Sequence, residues 1–515
     1  MSPRRSLAPT VPALVFLTWS VAVTLAFGNR LLNADGDTAR HIRHGEWILQ
    51  HGLIRADPFS FSRAGEPFVG FEYGSQVVFG LVHRLAGLPG IVVLSALLIA
   101  ATWALVARFM LRRGTDPAFA YCVTMAAAIL GAMHWAARPH LFTQLLVVIL
   151  LDWLDRPDGQ RPGWWAFAGL FLLWANLHGG FVYGLILMGL FGLPDLLDAL
   201  RAPRDPERRR KAATWIGLGA SAAAVTVLNP YGVAIPLHVL GFFQSGLIQS
   251  QTNEFMPPGF RDIGTRLFLL VVLVAVAALA RSRRPLAPAH LLVVLGNLAF
   301  ALMARRNIAL FSITALPLLA VHFDPSWRRL PEPPNFRASF AQAQRTGRFG
   351  PWVALPTVLL ILFAMTGGRI GGAQITPRHF DPEIFPVEAV RRAREAGLEG
   401  RIFNEFLWGG YLLHAWPEQK VFIDGGTDHY GEELFTDYLE IWTVQPGWRD
   451  RVARWDFDHA MVPSRSRLAQ QLVREPGWSL AWCDVRAAIL TRGSLFFGAA
   501  QPDTATACRM LRAHD

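Results

Sequence analysis

The stretch "VPALVFLTWSVAVTLAFGNRLLNADGDTARHIRHGEWILQHG" (residues 11–52) passes from an apolar run directly into a charged cluster. Residues 11–28 contain no charged side chain and are long enough, as a helix, to cross the hydrocarbon of a bilayer. Residues 33–52 then hold two carboxylates one residue apart, Asp35 and Asp37, followed by several Arg and His. A solvated loop next to a membrane would account for these charges, so their role depends on the rest of the chain.

The composition is that of a membrane protein. Of 515 residues, 52% are hydrophobic and 17% are charged, and the mean hydropathy is +0.30, whereas soluble proteins carry about 25% charged residues. From Arg369 onward there are 17 Lys and Arg against 20 Asp and Glu, a net charge of −3. Since the whole chain has a net charge of +11, residues 1–368 carry +14. This charge lies in short clusters between apolar segments, a pattern typical of membrane topology signals and not of a nucleic-acid-binding surface.

Eleven apolar segments are predicted to be transmembrane helices because of their length. Arg4 and Arg5 before the first segment fit a cleaved signal peptide or a membrane anchor, and the many spans that follow favour the anchor. The predicted spans cover residues 11–28, 90–111, 117–136, 141–154, 163–178, 181–199, 213–229, 264–280, 287–304, 307–322 and 351–367.

Basic clusters between these segments predict the orientation. They lie at residues 112–113, 156–161, 201–211, 281–284 and 327–348. Strict alternation of the spans places all five clusters on one side, which the positive-inside rule assigns to the cytoplasm. We therefore predict a multi-pass protein of a bacterial cytoplasmic (inner) membrane, with the N-terminus in the cytoplasm and the C-terminal part outside.

The C-terminal part has a different pattern. Residues 386–396 predict an amphipathic helix that stops at Gly397 and is followed by a strand. Three short apolar runs bounded by turn residues predict buried strands: "KVFIDGG" (420–426), "HAMVPS" (459–464) and "RAAILTR" (486–492). These elements indicate a small α/β domain at about residues 375–495.

The predicted fold class is therefore an α-helical integral membrane protein with a small extracytoplasmic α/β domain. Its predicted divisions are a polytopic transmembrane domain at 1–368, which includes a long first extracytoplasmic loop at 29–89, and the α/β domain at 369–515. Cys483 and Cys508 lie in the latter and would pair only if it faces an oxidising compartment.

The first loop contains a predicted helix with Asp37 as its N-cap and Gly52 as its stop. A second such helix is predicted for residues 69–88. Two sets of residues in the first helix fall on different faces, namely Ala39, Ile42 and Leu49 on one and Asp37, His41 and His44 on the other. We therefore expect this helix to lie on the membrane surface with its apolar side down. Spacing alone leaves open whether Asp35 and Asp37 only cap and solvate the helix or have a chemical role.

Four arginines lie at predicted outer ends of spans, where topology does not require them: Arg138, Arg266, Arg305 and Arg306. A guanidinium at the edge of hydrocarbon is costly unless it pairs or reaches the interface, and it matches phosphate geometrically. Some of these arginines are therefore predicted to bind the phosphate of a lipid substrate, with anchoring to lipid headgroups as the alternative.

Three further polar residues occupy predicted outer turns. Asn176 and His178 precede a Gly-Gly turn, and Glu254 lies in a loop followed by two prolines. His178 fits a pocket ligand or base as well as a satisfied turn residue. Glu254 fits a gating or acceptor-contacting role as well as a solvated loop carboxylate.

Taken together, these stretches resemble the GT-C superfamily of bacterial membrane glycosyltransferases, which use polyprenyl-phosphate-linked sugars. Distant relatives of this superfamily include the oligosaccharyltransferase catalytic subunit. The resemblance covers nearly the whole chain and rests on the order of its motifs. These are the first loop (35–76), "RPHLFTQLL" (138–146), "NLHGGFVYG" (176–184), "LNPYG" (228–232), "NEF" (253–255), "RRNIALF" (305–311) and "FNEFLWGGYLLHAWPEQKVFIDGGTDHYG" (403–431).

The resemblance implies that a first-loop carboxylate is catalytic, as a base or as a ligand of a divalent metal such as Mg²⁺ or Mn²⁺. This role maps onto Asp35 or Asp37, and the spacing does not choose between them. The "LWGGYL" motif is similar to an acceptor-recognition motif of the oligosaccharyltransferase but lacks its aspartate. The residues predicted to bind substrate are Arg138, His140, Asn176, His178, Glu254, Arg305, Arg306, Trp408 and Tyr411, and those predicted to support the first loop are His41, His44 and Glu72.

The predicted function is transfer of a sugar from a polyprenyl phosphate or pyrophosphate donor to a glycan, lipid or protein acceptor outside the cytoplasm. The predicted partners are therefore this donor, the acceptor and the lipid bilayer, without nucleic acid. The alternatives are a transporter or flippase of a lipid-linked substrate, and a non-catalytic assembly protein with an outer binding domain. The transporter is disfavoured because the sequence shows no internal repeat and its polar groups gather at predicted outer ends.

Overall fold

A computed structural model describes residues 6–242, 246, 250, 254–282, 285–493 and 508. It divides into two compact units. The first, here called the helical unit, comprises Met1–Phe27 and Val92–Ile375, and the second, here called the mixed unit, comprises Gly28–Ile91 and Thr376–Asp515. Arg4, Arg5, Asn253, Arg283 and Arg284, which contribute to predicted signals or motifs, lie outside the described residues.

The helical unit is built mainly from apolar helices. They are α1 (Val11–Ala26), the second half of α4 (Tyr73–Arg112), α5 (Pro117–Gly131), α6 (His140–Leu154), α7 (Trp164–Leu177), α8 (Phe181–Arg201), α9 (Pro206–Ala224), α10 (Ala234–Phe242), α11 (Ile263–Arg281), α12 (Pro288–Met303), α13 (Ile308–Trp327), α14 (Phe336–Thr346) and α15 (Gly350–Met365). Short 3₁₀ turns lie at Ala132–His134, Val225–Val227 and Arg305–Asn307, and two-residue strands β1 (Arg369–Ile370) and β2 (Ala373–Gln374) pair after α15. Phe268, Phe311 and Leu130 pack in one cluster of its core.

A helix lies in each of the eleven segments predicted to span the membrane. Five of the described helices are long and apolar enough to cross a bilayer. These are Tyr73–Arg112, Pro117–His134, Phe181–Arg201, Ile263–Arg281 and Arg305–Trp327. The number of spans and the orientation of the chain stay predictions.

The mixed unit combines helices with a small sheet. Its helices are α2 (Gly28–Asn33), α3 (Asp37–His51), the first half of α4, which is broken at Gly87, α16 (Val387–Glu395), α17 (Phe406–Ala415), α18 (Thr427–Trp442), α19 (Trp448–Trp455) and α20 (Arg467–Leu472). The strands are β3 (Ile402–Asn404), β4 (His459–Pro463), β5 (Trp478–Cys483) and β6 (Ala487–Arg492). The sheet order is β3-β4-β6-β5, with β3 parallel to β4 and the other pairs antiparallel.

Most elements predicted for the C-terminal part are present. Helix α16 ends before Gly397, whose φ of +65° suits glycine, and β3 follows it. Strands β4 and β6 confirm two of the three predicted apolar strands. The predicted strand at residues 420–426 is wrong, because only Val421 forms a bridge there, to Ser60. The side-chain amide of Asn404 bonds to the backbone of this segment instead, accepting from Phe422 N at 2.8 Å and donating to Ile423 O at 2.8 Å.

The first loop folds together with the C-terminal residues in the mixed unit, which differs from the predicted division at residue 368. The amide of Val421 donates to the carbonyl of Phe59, and the amide of Phe61 donates to the carbonyl of Val421, both at 3.1 Å. The Ser62 hydroxyl donates to the carbonyl of Phe422 at 2.5 Å. These long-range bonds attach an extended part of the first loop to residues more than 350 positions later.

A disulfide joins Cys483 at the end of β5 to Cys508, with the Cα atoms 6.0 Å apart. It ties the last part of the chain to the sheet. The sequence left this pairing open, since it required an oxidising compartment.

Glu405 makes the stability of the mixed unit depend on pH. It caps α17 by accepting from the amide of Trp408 at 2.9 Å, and burial raises the pKa of its carboxyl to about 7 although two backbone amides oppose the shift. Because the raised pKa means that the folded state holds the proton more tightly, the contribution of Glu405 to stability is greatest below about pH 4.5 and falls as pH rises towards 7. We expect Glu405→Gln, measured by thermal unfolding of the full chain in detergent, to raise Tm at pH 8 but not at pH 4.5. The gain corresponds to at most about 3 kcal/mol.

Glu388→Gln is the matched control for this prediction. Hydrogen bonds from Arg391 lower the pKa of the Glu388 carboxyl, so its loss gives no gain at pH 8. A gain for Glu405→Gln that is as large at pH 4.5 as at pH 8 would contradict the assigned cause.

Candidate active site

The start of α3 positions the two first-loop carboxylates differently. Helix α3 runs from Asp37 to His51, with Gly36 as its N-cap, so the prediction of Asp37 as N-cap is wrong. Instead, the Asp35 side chain bonds to the start of the helix, since its Oδ1 accepts from the amide of Asp37 at 2.9 Å. A Cβ on Gly36 would lie 2.2 Å from the carbonyl oxygen of Leu407, so this close approach of α3 to α17 requires glycine.

Arg40, one turn further along α3, gathers carboxylates from three parts of the mixed unit. Its guanidinium lies 3.6 Å from Asp37, 4.0 Å from Glu72 and 4.0 Å from Asp424. Burial alone would lower the pKa of Arg40, but these carboxylates raise it above its ordinary value, so the guanidinium stays charged. Of the three carboxylates, Asp37 is the most accessible, with 18% of its side chain exposed against 10% and 5%.

The histidine face of α3 is buried within the mixed unit. His41 and His44 are each 2% exposed, so the polar side of the helix does not face solvent as a surface-lying helix would require. His41 Nδ1 lies 3.8 Å from Glu72, and the His44 ring stacks on Phe59 at 4.4 Å. The structure thus brings the predicted supporting residues His41, His44 and Glu72 around Arg40 and its neighbours.

The segment "FIDGGTDHY" (422–430) supplies residues that the sequence did not single out. Asp424 accepts from the hydroxyl of Tyr430 at 3.1 Å, and His429 Nε2 lies 3.2 Å from Asp57. Asp57 also accepts from the amide of Phe59 at 2.7 Å, a bond typical of turn residues. Burial acts to raise the pKa of the Asp57 carboxyl, but the bonds from His429, Ser60 and Phe59 together bring it below its ordinary value. The segment lies within the motif at 403–431 that carries the family resemblance, and its cluster of Asp and His is the local signal in the sequence.

The residues around Asp35 and Asp37 do not fit the predicted divalent metal. Among the residues that the structure describes, no three or more His, Cys, Asp or Glu side chains are placed to hold a metal ion. The Arg40 guanidinium takes the position among the carboxylates that a cation would need. A metal ion there would lie beside a permanent positive charge, which opposes its binding.

In the helical unit, Glu254 holds two of the predicted phosphate-binding arginines together. Its carboxylate lies 3.5 Å from the guanidinium of Arg138, 3.2 Å from that of Arg306 and 3.9 Å from His134. Arg306 also lies over the ring of Phe255 at 4.5 Å. Although burial opposes it, the two arginines and His134 lower the pKa of Glu254 to about 2, so the carboxylate is ionised at neutral pH.

Arg305 points away from this cluster. Its guanidinium pairs with Asp262 at 3.5 Å, and 42% of its side chain is exposed. Arg266, the fourth arginine at a predicted span end, donates to the carbonyl of Phe260 at 3.3 Å. Arg305 and Arg306, which are adjacent in the sequence, therefore pair with different carboxylates, and the sequence did not predict this difference.

The remaining predicted residues of the helical unit lie near the same turns. His140 Nε2 bonds to the carbonyl of His134 at 2.9 Å, so His140 belongs to the surroundings of the Glu254 cluster. His178 Nδ1 accepts from the amide of Gly180 and the hydroxyl of Thr143, each at 2.9 Å. Asn176 donates to the carbonyls of Leu172 and Leu228 at 2.7 and 3.2 Å. For Asn176 and His178 the observed bonds are those of turn residues.

Trp408 and Tyr411 lie in the core of the mixed unit. They are 4% and 5% exposed. The Trp408 indole donates to the carbonyl of Ile384 at 3.0 Å, and the Tyr411 ring stacks on Phe385 at 5.0 Å. Packing accounts for both side chains, and their predicted contact with the acceptor stays a prediction.

The fold is similar to that of three solved GT-C glycosyltransferases. AglB, the oligosaccharyltransferase from Archaeoglobus fulgidus solved with an inhibitory peptide and a dolichol-phosphate, matches with a TM-score of 0.52 at 12% identity, over 88% of this chain and 69% of its own. ArnT from Cupriavidus metallidurans, solved with undecaprenyl phosphate, matches with a TM-score of 0.50 at 12% identity, over 95% and 99%. The arabinofuranosyltransferase AftD from Mycobacteria matches with a TM-score of 0.50 at 15% identity, over 95% of this chain and 40% of its own.

No protein-family model matches the sequence, and no curated protein sequence matches it significantly. At identities of 12–15%, the likeness to solved structures establishes the fold. The resemblance to the GT-C superfamily, which the order of the motifs predicted, is thereby confirmed, and the apolar helices agree with a membrane protein.

Proposed function

We propose that this chain transfers a sugar from a polyprenyl-phosphate-linked donor to an acceptor on the extracytoplasmic face of a bacterial inner membrane. The observation that carries the proposal is the arginine pair of the helical unit, Arg138 and Arg306, which holds one carboxylate by ion pairs of 3.5 and 3.2 Å. Two guanidinium groups that converge on one anionic group suit the oxygens of a lipid phosphate. The disulfide between Cys483 and Cys508 supports an oxidising surrounding for the C-terminal part.

Asp37 is the carboxylate to which we assign the role of base. It is the more suitable of the two first-loop aspartates because Asp35 bonds to the helix start, whereas Asp37 presents a partly exposed carboxylate beside Arg40. In this role it accepts the proton of the acceptor hydroxyl as the oxygen attacks the anomeric carbon and the bond to the donor phosphate breaks. Arg40 orients the Asp37 carboxylate, and Glu72 and Asp424 balance its charge.

We assign Arg138 and Arg306, both in the helical unit, to the binding of the donor phosphate. Fixed guanidinium groups in a desolvated surrounding favour the negative charge of this group. Burial lowers the pKa of Arg138 while Glu254 opposes the shift, so the pairing with an anion favours its charged form. The donor phosphate would replace Glu254 as the anion held by this pair.

Lipid analysis of the native host tests the proposal. A strain without the gene should accumulate one polyprenyl-phosphate sugar in its membranes, because the step that consumes it is missing. Wild-type protein should return this lipid to its normal level, and Asp37→Asn protein at equal abundance should not. Extracts analysed by mass spectrometry give the amounts. Unchanged lipid-linked sugars in the deletion strain would contradict the proposed donor.

A further inference from the structure

A narrow cleft opens within the mixed unit beside Arg40. Side chains of α3, of the first-loop segment 57–76 and of residues 424–430 line it. Its cavity volume is about 10 Å³, which is room for one water-sized group. A single functional group, and not a whole sugar ring, therefore enters this cleft.

The imidazole of His44 lines this cleft. Its side chain is 2% exposed, and neither Nδ1 nor Nε2 meets a partner among the described residues. Burial, with the nearby charge of Arg40, holds the pKa of the His44 imidazole well below its ordinary value, so the ring is neutral and presents one donor and one acceptor. Stacking on Phe59 at 4.4 Å fixes the plane in which these two groups lie.

Gln76 adds a second unpartnered group to the same lining. Its Oε1 is buried and has no partner among the described residues, although its Nε2 lies 3.4 Å from His41 Nδ1. A buried polar group without a partner costs free energy that a folded protein normally avoids. Two such groups that line one water-sized space indicate a missing partner that can both donate and accept.

The charges of the lining select the chemistry of that partner. Four carboxylates, those of Asp57, Glu72, Asp424 and Asp428, share the lining with one guanidinium, that of Arg40. A phosphate or carboxylate would be repelled there. A hydroxyl group can accept a hydrogen bond from the N–H of the neutral imidazole and donate its own proton to the Gln76 carbonyl oxygen. Phe59, Phe68 and Phe71 also line the cleft, and their rings can provide apolar contacts for the carbon atoms of a larger molecule.

We propose that this cleft binds one hydroxyl group of the sugar substrate, with His44 and Gln76 as its hydrogen-bonding partners. The inference rests on the proposed function and deepens it, because it makes these two residues determinants of which sugar is accepted. Arg40 lines the cleft and contacts Asp37 at 3.6 Å, so a sugar anchored here lies close to the proposed base. Because the cleft binds a single hydroxyl group, it distinguishes sugars by the position of that hydroxyl on the ring.

Sugar binding to the purified full chain in detergent tests this proposal without requiring transfer. The probes are mannose, galactose, arabinose and glucosamine, each measured by saturation-transfer difference NMR. We expect the wild type to bind at least one of them and His44→Phe to bind it at least about tenfold more weakly, because the variant removes both nitrogens. Gln76→Met should weaken binding in the same direction. Inorganic phosphate should not compete.

Thermal unfolding separates loss of a ligand site from loss of structure. Phenylalanine fills the place of His44 and removes an unpartnered polar group, so the Tm of His44→Phe should equal or exceed that of the wild type. The matched control is His51→Phe, which changes an exposed histidine of the same helix that stacks on Trp47 outside the cleft lining. Its sugar binding should match the wild type.

Three results would overturn the proposal. The first is that His44→Phe binds the sugar as tightly as the wild type does, and the second is that inorganic phosphate competes with the sugar. The third is that the wild type binds none of the probes, which would mean that the cleft holds an ordered water only. Failure of the proposed function gives a different result. Sugar binding that depends on His44, in a protein that transfers nothing from polyprenyl-phosphate donors, would refute the transferase and leave the cleft as a sugar-binding site.

Discussion

Asp37→Asn is expected to lower the rate of sugar transfer by roughly 100- to 10,000-fold, the range of effects seen when a general base is removed. Asparagine keeps the shape of the side chain and can still meet Arg40, which lies 3.6 Å from Asp37, but it cannot accept a proton at neutral pH. The rate is measured in proteoliposomes as loss of label from a polyprenyl-phosphate-linked sugar in the presence of a host membrane extract that contains the acceptor. Donor KM should change little, because no contact with the donor phosphate is assigned to Asp37.

Asp35→Asn is the matched comparison for this variant. The Asp35 side chain accepts from the amide of Asp37 at 2.9 Å, and the carbonyl oxygen of asparagine can accept the same bond. Its loss of rate should therefore be much smaller than that of Asp37→Asn. The opposite order of the two variants would move the role of base to Asp35, and equal rates for both variants and the wild type would remove it from the first loop.

Local patterns allowed much of this region to be predicted from the sequence. The sequence predicts a helix with Asp37 as its N-cap and Gly52 as its stop, and in the structure α3 covers Asp37–His51, with a φ of +83° at Gly52. The predicted cap was wrong by one residue. In the "DGD" sequence either aspartate can bond to the helix start, and the approach of Leu407 to Gly36, which decides the local backbone, joins residues distant in sequence.

The neighbours of α3 could not be predicted in the same way. Its amphipathic pattern led to a helix on a membrane surface, but the polar side is buried because Asp424 and His429 come from the far end of the chain. Pairing of the first loop with Val421 also replaces the strand predicted there. Such contacts depend on the tertiary fold and cannot be predicted from the spacing of residues within a short segment.

The arginines at predicted span ends illustrate the same limit. Their position at the edge of an apolar segment predicts binding to a lipid phosphate or anchoring to headgroups, and in the structure Arg305 and Arg306 pair with carboxylates whereas Arg266 donates to a backbone carbonyl. Which partner each arginine has depends on the loop that reaches it, and Glu254 and Asp262 are separated from Arg305 and Arg306 by more than 40 residues. Sequence periodicity cannot assign these ion pairs, so the sequence predicts the same role for Arg305 and Arg306.

Arg306→Gln is expected to raise the KM for the lipid-linked donor by roughly 10- to 150-fold, because a charged hydrogen bond to phosphate contributes about 1.5–3 kcal/mol. The side chain lies 3.2 Å from Glu254 and over the ring of Phe255, so a neutral amide removes the charge while Arg138 still balances the Glu254 carboxylate. Initial rates over a range of donor concentrations, in the proteoliposome assay, give KM and kcat separately.

Arg305→Gln and Glu254→Gln together decide whether the arginine pair binds an anionic ligand. Arg305 is the sequence neighbour of Arg306 but pairs with the exposed Asp262, so its loss should change donor KM far less than the loss of Arg306. Glu254→Gln removes the carboxylate that Arg138 and Arg306 now hold, and a donor phosphate no longer has to displace a charged competitor. Donor KM should therefore fall in Glu254→Gln and rise in Arg306→Gln. If both substitutions raised KM equally with a similar fall in Tm, the three residues would form a structural ion-pair network, and the phosphate-binding role of the pair would be refuted.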